Sequence, residues 1–253
     1  MKLSGNTILI TGGGSGIGRR LAEAFHKLGN QVIVAGRRKE ALDETIAGNP
    51  GMKSLTVDMQ SAAAIRDFAA RAAAEFPALN VLINNAGIMR PEKLLAQQPD
   101  LADAEATVAT NLLGPIRLTA ALLPHLEKQP YAVIMNTSSG LAFLPLALTP
   151  TYCATKAAVH SYTQSLRYQL RQTSIEVLEL APPYVATDLM GGTDDPRAMP
   201  LSQFITEVME ILGQQPTPPE ILVENVKRLR YAAEDGNFDT MFAGLNASMT
   251  DPH

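Results

Sequence analysis

The sequence predicts one α/β domain built on a doubly wound parallel sheet of six to seven strands, with helices on both faces. Short runs of β-branched and aliphatic residues alternate with longer helix-like segments almost to the end of the chain. These runs are continuously apolar, as expected of strands buried on both faces of a sheet. A glycine-rich turn at residues 12–18 follows the first run directly. Together these observations predict β/α units joined by right-handed crossovers.

The elements follow in order. The first strand, residues 7–11, reads Thr-Ile-Leu-Ile-Thr, and similar runs predict strands at residues 31–35, 54–57, 80–83, 131–136 and 175–180. Helical patterns connect them at residues 16–28, 39–47, 62–75, 103–126 and 151–172. Gly29 ends the first helix, and the turn Asn49-Pro50-Gly51 follows the second.

The alternation stops after Gly191, where prolines mark repeated breaks (Pro196, Pro200, Pro216, Pro218 and Pro219). No linker or internal repeat divides the sequence, so residues 1–253 are predicted to form a single domain. Within it, residues 188–220 are predicted to be a substrate lid and residues 221–253 a C-terminal helical tail. The glycines and charges of residues 191–195 predict a mobile segment in the absence of ligand.

Composition excludes several classes of protein. Hydrophobic residues make up 46% and charged residues 18% of the 253, which excludes global disorder. A net charge of −4 gives no electrostatic signature of a nucleic-acid partner. No apolar run approaches the ~20 residues of a membrane span, and no signal-peptide layout is present. The lone Cys153 and the scattered histidines (His26, His125, His160 and His253) have no metal-ligand spacing. These features predict a cytoplasmic protein with neither membrane partner nor metal.

The glycine-rich turn predicts a phosphate-binding loop. It reads Thr11-Gly-Gly-Gly-Ser-Gly-Ile-Gly18 and leads into a helix, whose N-terminus offers free N–H groups to a pyrophosphate. The alternative is an ordinary tight turn, which four glycines disfavour. The spacing is T-G-x-x-x-G-x-G rather than the common dinucleotide pattern G-x-G-x-x-G.

The end of the second strand bears on which cofactor is bound. An acidic residue about 20 positions after the glycine turn would bind the ribose 2′-hydroxyl of NAD. Gly36-Arg37-Arg38 stands there instead, and two guanidiniums can pair with a 2′-phosphate. We therefore predict a preference for NADP(H). The alternative is that both arginines only solvate the start of the next helix, which leaves NAD(H) open.

Tyr152 and Lys156 are predicted to lie on one face of a helix, because they are separated by four positions. A tyrosine with a pKa near ~10 is a poor base at neutral pH. A nearby ammonium, together with an oxidised nicotinamide, would lower that pKa and let the phenol exchange a proton with a carbonyl or an alcohol.

Three further features accompany this pair. Ser139 follows a strand and precedes Tyr152 by 13 positions, and Asn84-Asn85-Ala86-Gly87 closes the fourth strand. Asn111 lies inside a long predicted helix, where asparagine is disfavoured. In type, order and spacing these residues resemble the Asn-Ser-Tyr-Lys tetrad of the short-chain dehydrogenase/reductase family. The glycine turn also resembles that family's motif, and the resemblance runs from about Lys2 to Leu189. It implies a Rossmann fold and a nicotinamide-dependent oxidoreductase.

The resemblance also implies roles for single residues. Ser139 would polarise the substrate oxygen, Tyr152 would transfer the proton, and Lys156 would hold the nicotinamide ribose. Asn111 would bind, through its main chain, a water that relays protons to Lys156. The implied cofactor-binding residues are Gly12, Gly14, Ser15, Gly16, Ile17, Gly18, Arg37, Arg38, Asp58 (at the adenine), Asn85, Ala86, Gly87, Tyr152, Lys156, Val185 and Thr187.

Pro182-Pro183 departs from the family's usual Pro-Gly. Pro183 lacks an N–H and has a fixed φ, so we expect a different backbone path near the nicotinamide. The Pro-Pro pattern resembles the DltE-like subset of these oxidoreductases. Expected pocket walls are apolar or aromatic, which favours a small hydrophobic carbonyl or secondary alcohol as the substrate: Met89, Leu141, Phe143, Tyr184, Leu189, Met190 and Phe204.

Other functions stay open at this point. A catalytically silent cofactor sensor would be expected to lose Tyr152 or Lys156, and an NAD-dependent alcohol dehydrogenase would differ only in its cofactor. The family's usual assembly implies a homodimer through the helices at residues 103–126 and 151–172. Leu118, Leu122, Tyr162 and Leu166 are expected to face outward there. Residues 237–245 lack the pattern of a strand, and a terminal helix at that position would alter a second, tetramer-forming contact.

Overall fold

The computed structural model describes residues 1–96, 100–190 and 195–250. Its strands are β1 (Thr7–Thr11), β2 (Gln31–Gly36), β3 (Lys53–Thr56), β4 (Leu79–Asn84), β5 (Ala132–Thr137), β6 (Ile175–Leu180) and β7 (Glu220–Ile221). Its helices are α1 (Gly16–Lys27), α2 (Lys39–Ala47), α3 (Ala62–Glu75), α4 (Ala102–Val108), α5 (Gly114–Leu126), α6 (Pro150–Leu170), α7 (Leu201–Leu212), α8 (Glu224–Arg230) and α9 (Phe238–Thr250). The predicted single α/β domain is confirmed.

The seven strands are parallel and lie in the order β3-β2-β1-β4-β5-β6-β7. The chain starts in the middle, builds outward through β2 and β3, and then returns to place β4 on the other side of β1. The loops that follow β1 and β4 therefore lead away from each other and leave a crevice between them. In open parallel sheets, this switch point is where ligands bind.

Two apolar layers cover the sheet. One face packs on α1 and α7 through side chains such as Phe25 and Phe204, and the other packs on α3 and α5 through Phe68 and Leu122. The strands are buried from both sides, which explains why their sequences read as continuous apolar runs. This packing holds the strand ends, and hence the loops that follow them, in fixed positions.

The predicted long helix at residues 103–126 contains a π-helical turn, Ala109–Leu113, between α4 and α5. Residues 102–126 are long enough, and with a mean hydropathy of 1.3 apolar enough, to cross a membrane. Leu118, Leu122 and Leu126 are fully buried against the sheet, however, which is the arrangement of a core helix. The expectation that no segment reaches a spanning length therefore needs this correction.

The prediction of a lid at residues 188–220 is too broad. Phe204, Val208 and Leu212 of α7 are fully buried in the core, so this helix is part of the domain's framework. The predicted helical tail at residues 221–253 also needs correction, because its first residue, Ile221, belongs to β7. Farther on, α9 forms where a terminal helix was considered. Of residues 191–195, which were predicted to be mobile, 191–194 lie outside the described residues.

The prediction that Leu118, Leu122, Tyr162 and Leu166 form an outward-facing apolar patch for dimerisation is wrong. Leu118 and Leu122 have no exposed surface, Leu166 is buried, and Tyr162 packs against the same apolar cluster. These side chains point to the sheet because α5 and α6 use them to cover it. A dimer through these helices would have to use other residues, such as the exposed Leu113 and Tyr168.

Candidate active site

A cleft of about 770 Å³ opens at the carboxyl ends of the strands. Most of the residues predicted for the site line it: Gly12, Gly14, Ser15, Gly16, Ile17, Gly18, Arg37, Arg38, Asp58, Asn85, Ala86, Gly87, Met89, Ser139, Leu141, Tyr152, Lys156, Tyr184, Val185, Thr187 and Leu189. The loops after six strands thus contribute to one crevice. Its position agrees with the switch point between β1 and β4.

The glycine turn is shaped in a way that side chains would prevent. Gly12 has a φ of 70° and Gly16 a φ of 51°, in the left-handed region that glycine adopts most readily. A Cβ on Gly18 would lie 2.3 Å from the carbonyl oxygen of Gly12, so α1 can approach β1 only with glycine there. The turn therefore brings backbone N–H groups and the start of α1 to the cleft, where they can bind an anion.

Asn85 braces this turn. Its side-chain amide donates a hydrogen bond to the carbonyl oxygen of Thr11 at 3.1 Å, and its backbone N–H donates to Thr11 Oγ1 at 3.0 Å. The same amide nitrogen would be 2.9 Å from a Cβ on Gly12. The sequence implied a contact between Asn85 and the cofactor's ribose, and the structure adds a bracing contact within the protein.

Arg37 and Arg38 are exposed at the edge of the cleft, next to the glycine turn. Arg38 donates a long hydrogen bond of 3.5 Å to Ser15 Oγ. Asp58 lies on another wall of the cleft, where its carboxylate accepts a hydrogen bond from the N–H of Gln60 at 3.0 Å. Both guanidiniums can therefore reach an additional anion at this end of the cleft.

Tyr152 lies near the start of α6 and is 6% exposed. Burial raises the pKa of its phenol to about 12, and a hydrogen bond with Ser139 acts in the opposite direction. Ser139 also accepts a hydrogen bond from the N–H of Leu141 at 3.1 Å. Desolvation is the larger of these two effects in the protein alone, and the lowering of the Tyr152 pKa by Lys156 together with an oxidised nicotinamide stays a prediction for the complex. In this state the phenol is neutral and suited to donating a proton.

Lys156 lies one helical turn after Tyr152 and is 4% exposed. Its Nζ is 5.5 Å from the centroid of the Tyr152 ring and donates a hydrogen bond to the carbonyl oxygen of Thr137 at 2.8 Å. Burial lowers the pKa of this ammonium to about 8, although the charge of Glu179 acts to raise it. Lys156 is therefore a cation close to its titration point at neutral pH.

Asn111 lies in the π-helical turn and is 1% exposed. Its side chain is fully engaged, because it accepts a hydrogen bond from the N–H of Ile88 and donates one to the carbonyl oxygen of the same residue. It does not line the cleft directly. A Cβ on Gly87 would lie 3.5 Å from Asn111 Oδ1 and 3.7 Å from Lys156 Nζ, which places the three residues together.

Three predicted pocket residues fall elsewhere or cannot be placed. Phe143 does not line the cleft, because its ring packs edge-on against His160 and beneath the guanidinium of Arg230. Phe204 belongs to α7 and is fully buried in the core. The side chain of Met190 lies outside the described residues, although its backbone ends a short 3₁₀ turn.

Sequence reasoning missed the contribution of the C-terminal helices. Asn225, Arg228 and Leu229 line the cleft from α8, and Leu245 and Ser248 line it from α9. The spacing of the first three residues is that of one helical face, but nothing in the sequence indicates which way that face points. Asn246 holds α9 in place by hydrogen bonds to the carbonyl oxygen of Pro145 and from the N–H of Ala147. Residues 224–250 therefore contribute one wall of the cleft.

Comparison with known proteins agrees with this architecture. A family model for the short chain dehydrogenases matches residues 6–198. The uncharacterized oxidoreductase DltE of Bacillus subtilis (strain 168) is 40% identical over 249 residues, covering 97% of this chain and 98% of that protein.

Two solved structures are similar over most of the chain. A short-chain dehydrogenase from Sphingobium yanoikuyae, in complex with NADPH, superposes with a TM-score of 0.78 at 25% identity and covers 98% of both chains. A 3-ketoacyl-(acyl-carrier-protein) reductase from Brucella melitensis, complexed with NADH, gives a TM-score of 0.77 at 26% identity over 85% of this chain and 93% of that one.

The fold and the cleft define a nucleotide-binding oxidoreductase of the Rossmann class. The chain belongs to the short-chain dehydrogenase/reductase family, as a DltE-like member, and is an NAD(P)-dependent dehydrogenase or reductase. The described residues also fit a dinucleotide. The glycines at 12 and 18 allow a close approach of the turn to β1 and β4 that a Cβ would prevent, which brings backbone N–H groups to the cleft. Thr110 Oγ1 and Thr137 Oγ1 are buried in residues that line the cleft, with no hydrogen-bond partner among the described residues.

Proposed function

We propose that this enzyme transfers a hydride between NADP(H) and the carbonyl or secondary alcohol carbon of a small, largely hydrophobic substrate. The observation that supports this most directly is the arrangement of Ser139, Tyr152 and Lys156 at the cleft. Their polar groups lie within one buried cluster, and the phenol is protonated at neutral pH. That cluster can bind a carbonyl oxygen and protonate it.

The chain's own residues provide the proton and hold the reactants. Ser139 donates a hydrogen bond to the substrate oxygen, and Tyr152 gives its proton to that oxygen during reduction or removes it during oxidation. Lys156 holds the nicotinamide ribose and stabilises the phenolate that forms. Asn111 keeps the loop containing Ile88 in place, and its main chain binds a water that returns the proton. When bound, the nicotinamide gives or takes the hydride.

The proposed preference for NADP(H) rests on Arg37 and Arg38. Both are exposed beside the glycine turn, so they can pair with the 2′-phosphate that distinguishes NADP from NAD. Similar structures contain NADPH in one case and NADH in another, so the fold alone does not select the cofactor. The remaining contacts are proposed for the glycine turn, Asp58, residues 85–87, Val185 and Thr187.

The substrate end has an apolar floor. Met89 and Leu146 form a buried cluster with Tyr152, and Leu141 and Leu245 pack against it. All five residues line the cleft. This apolar floor favours a substrate whose hydroxyl or carbonyl carbon is attached to a hydrocarbon body. Pro182 and Pro183 also line the cleft, next to Tyr184.

A panel of ketones, aldehydes and secondary alcohols, assayed with NADPH and NADH side by side, tests this function. We expect turnover of hydrophobic carbonyls with NADPH at a higher kcat/KM than with NADH. Binding of NADPH without turnover of any carbonyl would instead support a catalytically silent cofactor sensor. Turnover with equal or better use of NADH would support an NAD-dependent alcohol dehydrogenase.

We also propose a cytoplasmic homodimer in which α5 and α6 pair with their counterparts across a two-fold axis. The family resemblance supports this assembly, and the exposed Leu113 and Tyr168 belong to these helices or the turn that precedes them. A dimer would cover apolar surface that is open in the single chain.

A further inference from the structure

A carboxylate is buried directly beneath the catalytic residues. Glu179 lies in β6, paired in register with Asn136 of β5, and its exposure is 0%. An isolated charge in such a place would be very unfavourable, so a buried carboxylate requires partners that donate hydrogen bonds or carry positive charge. Those partners show what Glu179 can do.

Two side chains donate hydrogen bonds to Glu179. Ser138 Oγ donates to Oε1 at 2.5 Å, and His160 Nδ1 lies 2.8 Å from Oε2 and 3.0 Å from Oε1. Ser138 immediately precedes Ser139, and its own N–H donates to the carbonyl oxygen of Leu180 at 2.8 Å. The backbone at Ser138 is thus anchored at both its N–H and its side chain. Ser139 follows this anchored residue directly in the chain.

His160 follows Lys156 by one turn of α6 and lies 2.8 Å from the Glu179 carboxylate, which places that carboxylate near Lys156 as well. The buried ammonium of Lys156 hydrogen-bonds the carbonyl oxygen of Thr137, a dipole rather than a charge. The negative charge of Glu179 favours the protonated form of Lys156 and opposes the desolvation of that ammonium. The neutral phenol of Tyr152 supplies no compensating charge.

The other charged groups around Glu179 are already paired. Glu220 of β7 accepts two hydrogen bonds from Arg230 of α8, at 2.7 and 3.2 Å. Arg167 of α6 donates to the carbonyl oxygens of Val177 and Pro219. His160, Glu179 and Glu220 lie close enough together to suggest a metal site. Arg230 already donates to both oxygens of Glu220, and Ser138 donates to Oε1 of Glu179, so the cluster is a hydrogen-bonded polar network within the protein.

We propose that Glu179 is a positioning residue for the proposed hydride transfer: its charge keeps Lys156 protonated, and its hydrogen bond to Ser138 fixes Ser139 against the substrate oxygen. The inference rests on the proposed function for its catalytic consequence. Its electrostatic part concerns Lys156 alone and can be measured without turnover.

Glu179→Gln tests the charge, because glutamine keeps the size of the side chain and one acceptor oxygen for Ser138. Glu176→Gln is the matched control: it is the same change on the same strand, at a residue that binds Tyr131 and the N-terminal ammonium. The readout is the ¹³Cε resonance of Lys156 in the cofactor-free protein, assigned with Lys156→Arg and titrated with pH. We expect the Lys156 pKa to fall below its wild-type value in Glu179→Gln and to be unchanged in Glu176→Gln.

Catalysis provides the second readout. The rate of carbonyl reduction should decline on the basic side at a pH about one unit lower in Glu179→Gln than in wild type. Cofactor affinity at pH 6, where the ammonium is retained, should change little. A Lys156 titration and a pH–rate profile that both match wild type would overturn the proposal. A shifted Lys156 titration in an enzyme without activity on any carbonyl would retain the electrostatic assignment and refute the proposed function instead.

Two further variants keep the test decisive if Glu179→Gln does not fold. Glu179→Asp retains the charge on the same strand, so the basic side of the profile should stay at the wild-type pH, and a shift would contradict the proposal. Ser138→Ala removes only the hydrogen bond, so kcat should fall about tenfold with no shift of the profile. An unchanged kcat in Ser138→Ala would refute the positioning of Ser139.

Discussion

Asn111 clamps the backbone of Ile88 with two hydrogen bonds of 2.8 Å, one to the N–H and one to the carbonyl oxygen. The bonds join the π-helical turn to the loop that follows β4. Because that loop also contains Gly87 and Met89, the clamp sets the distance between the long helix and the floor of the cleft. Asn111 therefore has a side-chain role within the protein in addition to the implied main-chain role.

Asn111→Leu should reduce both stability and turnover. Leucine has a similar size but leaves the N–H and carbonyl groups of Ile88 without partners, at a cost of roughly 1–3 kcal/mol per buried group. The free energy of unfolding, measured in denaturant, and kcat should both fall. Asn49→Leu, at the end of α2, is the control and should leave kcat unchanged. Wild-type stability in Asn111→Leu would contradict the clamp.

Tyr152→Phe should abolish turnover while the fold and cofactor affinity stay nearly unchanged. The change removes the proton donor and very little volume. Tyr162→Phe makes the same change farther along α6 and should retain activity. Steady-state kinetics and cofactor titration decide the matter, and activity within about tenfold of wild type would assign the proton transfer to another group.

Arg37→Asp should weaken NADPH binding and spare or improve NADH binding, because an acidic side chain repels a 2′-phosphate and can accept a hydrogen bond from a 2′-hydroxyl. We expect a loss of at least about tenfold in NADPH affinity by fluorescence titration. Arg66→Asp carries the same charge change on the exposed face of α3 and controls for net charge. Equal NADPH and NADH affinity in the wild type would end the NADP proposal.

Lys156→Met should stabilise the protein most at neutral pH. The pKa of Lys156 is about 8 in the folded state, below its ordinary 10.5, so burial of the ammonium destabilises the fold below pH 8. This cost is relieved as the pH rises from about 8 towards 10.5. The advantage of the variant over wild type should therefore shrink by about 2 kcal/mol between pH 7 and 9.5.

Denaturant titrations at both pH values measure this difference. Lys53→Met, at an exposed lysine in β3, should show no comparable dependence on pH. If the gain in unfolding free energy of Lys156→Met over wild type stays constant over that pH range, burial of the ammonium does not destabilise the fold.

Multi-angle light scattering at micromolar concentration should give the mass of a dimer, about twice 27.1 kDa. Replacing Leu113 and Tyr168 with glutamate should shift the protein towards the monomer, because the charges would lie in the proposed interface. A monomeric wild type, or a stable tetramer, would contradict the proposed assembly.

The sequence was sufficient for the framework of the fold. Continuous apolar strands and helical periodicity located β1 to β6 and their helices to within two residues, because burial on both faces dictates those patterns. The two-residue β7 and the inward direction of Leu118 and Leu122 were missed. A strand that short has no period, and a helix with apolar residues around much of its surface does not reveal which side meets the sheet.

The site too was predicted from the sequence only in part. Helical spacing placed Tyr152 and Lys156 on one face, and the resemblance to the short-chain dehydrogenase/reductase family added Ser139 to them. Phe143 was misplaced since an aromatic residue after a catalytic serine can turn towards the substrate or, as here, towards His160. The direction of the Tyr152 pKa also depends on burial, which only the packed structure reveals.

The π-helical turn at Ala109–Leu113 has a geometric consequence for the long helix. A π turn accommodates one residue more than the same length of α-helix. Deleting a single residue between positions 109 and 113 would therefore let regular α-helix run through, with α4 and α5 still in register. Only the side chains of the turn itself would be repositioned, and Asn111 would lose its place opposite Ile88. The extra residue of this turn thus lets Asn111 reach the loop after β4 while the helices on either side keep their directions.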